Sequence, residues 1–402
     1  MDLDKTGETP GLLGAPLELR SGVRLKNRMV KAAMSDSLGD GSGQPTDAQI
    51  ELYRCWANGG VALSIIGEVQ ADPRYPEKPG NLVLDGSQDE LLVGRLADVV
   101  RGSDSHLWPQ LGHAGALAYP PVSSPMGPSA LDLDGLRCGE MTAEEIEAIP
   151  ARFATAAVAA RRAGFSGVEI HAAHGFLLSQ FLSPLFNRRQ DRYGGSIEAR
   201  AQVLISVINR VRRDTGPDFA IGVKINATDE LEGGLTEPDA LIVVEMLDGC
   251  GVDVIDISGG TYFPGAPSRS DRPSQSPYYA EFAARARQAT TAALMLTGGV
   301  KTRDQAIGLR EIGVDLVGLA RTMVLDPDLP NHWLRTGVDP HFPAFTSTPP
   351  GGVTAWYTMR LLAIANQQGA SYQLTAESAL NEYDARDERR ISAWNNRFRT
   401  SR

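Results

Sequence analysis

Residues 164–200 read GFSGVEIHAAHGFLLSQFLSPLFNRRQDRYGGSIEAR. Gly164 stops the helical run that comes before it. Val168-Glu169-Ile170 follows, a short apolar segment whose β-branched residues suit a buried parallel strand. Where that strand ends, two imidazoles stand three residues apart, His171 and His174, with Gly175 and Phe176 behind them. A long Arg-rich loop and a new helix complete the stretch. A (β/α)8 barrel builds its active site from polar side chains delivered at the carboxyl ends of its strands.

Working outward, the same alternation recurs. Strand candidates lie at 26–35, 61–67, 107–111, 168–170, 220–225, 252–257, 293–297 and 315–319. Helical spacing separates them, at 47–58, from Thr142 onward, and at 197–213, 237–249, 279–290 and 303–312. Thr142 and Glu145 form a capping box, and Ile146, Ile149, Phe153 and Ala157 mark a buried face that Pro150 is expected to bend. Eight β/α units over residues 29–336 predict an α/β fold, a closed (β/α)8 TIM barrel. An open doubly wound sheet is the weaker alternative, because no G-x-G-x-x-G follows the first strand.

The remainder is read around the barrel. Residues 1–16 form an N-terminal arm, and 17–25 a hairpin around Ser21-Gly22 that plugs the barrel's amino end. The barrel domain spans 17–336, and residues 337–402 a C-terminal linker, helix and tail. Residues 114–141 are a Pro/Gly/Ser-rich excursion, long enough for a lid or wall. Residues 342–352 read as linker, 353–370 as one amphipathic helix, and the Arg-rich tail after Arg386 as a solvated or frayed end.

The 402 residues carry a net charge of -10, which argues against a nucleic-acid partner. Cys55, Cys138 and Cys250 are scattered and odd in number, so neither a disulfide framework nor a metal site is expected. Met1-Asp2-Leu3-Asp4-Lys5 lacks a secretory pattern and no apolar run reaches membrane length, so the expectation is a cytoplasmic protein without membrane contact.

The opening stretch resembles the signature of the old yellow enzyme family, the FMN-dependent NAD(P)H:flavin oxidoreductases. His171, His174 and Gly175 sit in a run similar to E-I-H-x-A-(H/N)-G-Y-L, and residues 187–200 resemble N-R-R-x-D-x-Y-G-G-S-x-E-N-R. Asn27-Arg28 with Ala32-Ala33-Met34-Ser35, the 109–115 run containing Gln110 and His113, Lys224, Leu296-Thr297-Gly298-Gly299 and Gly318-Leu319-Ala320-Arg321 extend the likeness over most of 25–330. The resemblance implies non-covalent FMN, held by Ala32, Ala33, Met34, Ser35, Val69, Gln110, Lys224, Gly298, Gly299, Ala320 and Arg321, and NAD(P)H as a transient reductant. Lys224 stands where the family generally has an arginine against flavin N1. It keeps the charge but loses the planar two-point fork. Gly298, Gly299 and Arg321 also make sense unaided, since a phosphate wants close N–H groups and one cation.

The resemblance further implies that His171 and His174 donate hydrogen bonds to a substrate carbonyl or nitro oxygen, so that hydride adds to an attached double bond. Phe176 replaces the family's proton-donating tyrosine. The consequences left open are a substitute donor (water, Tyr119, Tyr262 or Tyr357), an acceptor such as a quinone that needs no such proton, or a redox-neutral isomerase or desaturase. His113 reads as structural, and Trp356-Tyr357 as core, interface or a cap on the site. The expected partner is a small molecule with an electron-withdrawing group, with a homo-oligomer possible. A flavin-free lyase forming a Schiff base at Lys224 is the reading furthest from this one.

Overall fold

The computed structural model describes residues 11–266, 276–346 and 348–399. Eight parallel strands close into a barrel: β1 (Met29–Met34), β2 (Leu63–Gln70), β3 (His106–Gly112), β4 (Gly167–Ala172), β5 (Ala220–Asn226), β6 (Val254–Ser258), β7 (Ala293–Thr297) and β8 (Leu316–Leu319). They pair in chain order, and β8 closes on β1. All eight strand positions agree with the sequence reading.

Alternation along each strand separates two apolar regions. Val168, Ile170 and Ala172 of β4 join the large layer between barrel and helices, while Glu169 and His171 point inward. Inside, the amino end is filled by Val30, Leu63, Ile65, Trp108, Val254, Met295 and Leu316. The predicted hairpin, Leu17–Glu18 paired antiparallel with Arg24–Leu25, seals that end, with Leu19 and Leu25 packed into the same cluster.

Local signals set the helix boundaries. The capping box of Thr142 and Glu145 starts the helix Ala143–Ala163, and Gly164, at φ 101°, ends it. Pro150 does not break this helix, which runs through it with Phe153 and Ala157 buried on the barrel side as read. The 114–141 excursion carries a small three-stranded sheet that its Pro/Gly content did not announce.

The C-terminal region departs from expectation. The helix Gly352–Ala365 is buried along most of its length. The tail is no frayed end: Ala376–Phe398 is one helix laid against the barrel mouth. Its contact face is polar, with Arg390 donating to the Ser37 carbonyl at 2.9 Å and its Oγ at 3.1 Å. Trp394 anchors the end of the helix against Val83 and Val122. Among the described residues no helix is long and apolar enough to cross a membrane, and no group of three or more His, Cys, Asp or Glu is placed to hold a metal.

Candidate active site

A cavity of about 360 Å³ opens at the carboxyl ends of the barrel strands, a size typical of small-molecule sites. One side is lined by Ala33, Met34 and Ser35 of the first strand segment and by Gln110 of β3. Gly298, Gly299, Ala320 and Arg321 line another part, and His174 and Phe176 a third. Ala32 is buried in the strand and Val69 in the apolar layer behind β2, so neither lines the cavity. Val69 is displaced because the β2 ladder slips between Ile66 and Val69, with Glu68 at φ 59°. The carboxylate of Glu68, which the resemblance did not single out, faces the cavity instead.

Below the mouth lies a buried ionic layer. The Lys224 amine is ion-paired with Asp256 and stands 3.8 Å from Glu169. Thr297 Oγ1 donates to the other Asp256 oxygen at 2.8 Å, and Gln110 Nε2 donates to Glu169 at 2.6 Å. Burial holds Lys224 below its ordinary pKa, against the pull of the nearby carboxylates Glu169 and Glu68. Two carboxylates, from β4 and β6, hold Lys224 in the barrel interior, and it does not line the cavity.

The histidine pair forms as the sequence suggested. His171 sits at the end of β4, buried, its ring 5.2 Å from that of His174. His174 adopts the left-handed conformation, φ 60°, and is held there from both sides. Its N–H donates to Asn226 Oδ1 at 3.0 Å, and its carbonyl accepts from Tyr262 N–H at 3.1 Å. Gly175 follows at φ 82°, where a Cβ would come within 2.2 Å of Thr261 Oγ1, so the turn requires glycine. His174 Nε2 lies 2.9 Å from Ser258 Oγ.

Both imidazoles are neutral at physiological pH. Burial, with the charge of Lys224, lowers His171 to about 3; burial, His171 and Lys224 push His174 well below its ordinary value. His171 Nδ1 accepts from Ala173 N–H at 3.3 Å, which leaves the proton on Nε2. That Nε2 is buried without a hydrogen-bond partner among the described residues.

Phe176 lies beside the pair, its ring centroid 5.0 Å from that of His171, and it lines the cavity. Of the alternative tyrosines, Tyr262 faces Phe176 at 5.9 Å between ring centroids. Tyr357 is at the other end, 5.7 Å from the Arg321 guanidinium, and Tyr119 packs under Lys78 outside the cavity. His113 is buried, stacks on Tyr75 and accepts from Gly115 N–H at 3.0 Å, a structural role. Trp356 is core, donating to the Leu374 carbonyl at 2.8 Å. Sequence reading also missed Glu77, Phe342 and Tyr383, which complete the wall from segments without a recognisable motif.

The cavity fits FMN on its own observations. Ser35 Oγ and Thr322 Oγ1 line it, are buried, and have no hydrogen-bond partner among the described residues. Gly298 and Gly299 take φ 135° and 78°, and a Cβ on Gly299 would meet Tyr278 N and Ser276 O at 3.0 and 3.1 Å. This is a bare-backbone cradle with Arg321 beside it, the chemistry a phosphate ester needs.

Known proteins agree with this geometry. Residues 13–336 match the NADH:flavin oxidoreductase / NADH oxidase family. The NADH-dependent flavin oxidoreductase iliE of Hypocrea jecorina is 35% identical over 78% of this chain and 87% of its own length. NADPH dehydrogenase of Halalkalibacterium halodurans is 32% identical over 77% of this chain and 90% of its own. NADH oxidase of Thermoanaerobacter brockii is 32% identical over 76% of the chain, which spans only 48% of that longer protein. In three dimensions, morphinone reductase superposes with a TM-score of 0.71 at 26% identity, over 84% of this chain and 92% of that one. The chain thus belongs to the NADH:flavin oxidoreductase / NADH oxidase family, as an FMN-dependent oxidoreductase of the old yellow enzyme type that takes its electrons from NAD(P)H.

Proposed function

We propose that this oxidoreductase reduces a small acceptor whose double bond is activated by a carbonyl or similar group, or a quinone, in the cavity at the barrel mouth. When bound, FMN supplies the carrier that takes hydride from NAD(P)H and passes it on. The observation that carries the reading is the His171–His174 pair: two neutral imidazoles, one with an unpartnered Nε2–H, at the carboxyl end of β4. Fixed donors there bind a substrate oxygen and stabilise the negative charge that grows on it as hydride adds to the conjugated carbon. Phe176 and Tyr262 pack an apolar flank against the same spot, which orients a flat substrate. Lys224 is ion-paired in the layer below the cavity and does not line it, which counts against a Schiff base with substrate there.

Phe176 favours one second reading, a redox-neutral isomerase or desaturase, because a ring without a hydroxyl supplies no proton. Anaerobic mixing tests both. NAD(P)H is expected to bleach the yellow holoprotein, and an enone or quinone to restore the colour. A holoprotein that stays yellow under NAD(P)H would favour the second reading. Phe176→Tyr places a hydroxyl about one ring radius further into the cavity, and enone reoxidation is expected to quicken by about tenfold or more, with quinone reoxidation unchanged. An unchanged enone rate would mean that the proton comes from elsewhere.

A further inference from the structure

We propose that Glu68 is the acid that takes the place of the absent tyrosine hydroxyl, delivering the proton to the substrate carbon next to the one that receives hydride. The inference rests on the reductase reading above and concerns the one step which that reading leaves without a donor. Glu68 lies in β2 within the register slip, at φ 59°, and its side chain lines the cavity. It is 9% exposed, and its Oε1 lies 3.5 Å from His171 Nε2, so an oxygen bound at His171 has the carboxyl as its neighbour.

The other groups at that spot are poorer acids. Phe176 has no proton to give. Neutral His171 would have to become an imidazolate to release its Nε2 proton. Tyr262 is 69% exposed and held by ring contacts, with its centroid 6.3 Å from that of His174.

The charges facing Glu68 suit a protonated carboxyl. Burial pushes it up to about 8; Lys224 opposes that shift and Glu169 adds to it. Glu77, across the cavity on the loop after β2, is also raised to about 8, by burial and by Glu68, against Lys78. Beyond it stand Tyr383 and Asp387 of the C-terminal helix. His171 and His174 add no charge. Burial and the like charge of Glu169 keep a proton on Glu68 at neutral pH, and Glu68 in turn raises Glu77.

The step balances. Hydride addition leaves an electron pair conjugated with the substrate carbonyl. A C–H bond forms from that pair, the Glu68 O–H bond breaks, and the carboxylate faces the Lys224 side chain. Glu68 regains its proton from Glu77 or solvent, and the substrate has gained one hydride and one proton.

The test is anaerobic stopped-flow on the holoprotein with cyclohexenone as probe. Glu68→Gln is expected to slow reoxidation by about 10²-fold or more, while bleaching by NAD(P)H stays within a few-fold. Wild-type reoxidation should fall as pH rises through about 8, where the acid is lost, and the Gln variant should show no such limb. Glu68→Asp, which keeps an acid, should recover part of the rate together with the limb, and it decides the matter if the Gln variant loses its flavin. Independently of turnover, a carboxylic-acid infrared band should persist at neutral pH, vanish above about 8, and lose the Glu68 share of its amplitude in Glu68→Gln, where Glu77 alone supplies it. A Gln variant with wild-type rate and pH profile overturns the role of Glu68 alone, as does collapse in Tyr262→Phe with Glu68→Gln unaffected. A wild type that NAD(P)H leaves yellow overturns the reductase reading, and this one with it.

Discussion

Replacing Lys224 with methionine is expected to destabilise the protein by about 3–5 kcal/mol. The amine is 1% exposed and ion-paired with Asp256, itself 0% exposed, with Glu169 3.8 Å away. Nothing of the interaction is lost to solvent screening. Methionine fills much the same volume but leaves two carboxylates in a barrel interior whose lower layer is wholly apolar. The loss should appear as a lowered guanidinium midpoint of the holoprotein. Adding Asp256→Asn removes the stranded charge, and the double variant should recover part of the loss, because the penalty comes from the unpaired ion rather than from missing attraction. A single variant within about 1 kcal/mol of wild type would contradict the ion pair. Glu68 should respond too, since Lys224 is the cation that restrains its rise.

Removing both hydrogen-bond donors, as His171→Ala with His174→Ala, is expected to slow reoxidation by an enone by at least about 10²–10³-fold, the usual cost of losing one oxyanion donor. Each substitution alone should give a smaller loss, and bleaching by NAD(P)H should change far less, because that step forms no oxyanion on a substrate carbonyl. Both rings are held neutral, His171 at about 3. The wild-type rate should therefore be flat from pH 5 to 7, where an ordinary histidine titrates. A step near 6.5 in that range would show the pair working as imidazolium, contrary to the burial that sets its charge. A double variant with wild-type reoxidation would remove the pair from the chemistry.

The features legible in the sequence are short-range ones. The helix beginning at Thr142 could be read because Thr142 and Glu145 satisfy each other within one turn. His171 and His174 could be placed because apolar alternation ends at Ile170 and the turn needs Gly175. The C-terminal helix could not. Its buried positions include Arg386, Asp387 and Arg390, so its contact face lacks the apolar stripe by which a packed helix is recognised. Arg390 becomes buried only because the backbone and hydroxyl of Ser37, 353 residues away, accept its hydrogen bonds.

The sequence by itself determined the barrel's strands, its hairpin plug and the place of the histidine pair, since each follows from residues within a few positions of one another. Tertiary structure decided what the charges do. Lys224 turns inward because Asp256, 32 residues on, meets it across a shared ladder. Glu68 faces His171 because a slip of register carries Val69 away from the cavity. Charges in a low-dielectric interior are governed by whichever opposite charge or donor the fold brings within a few ångströms, and nearness along the chain says nothing about that.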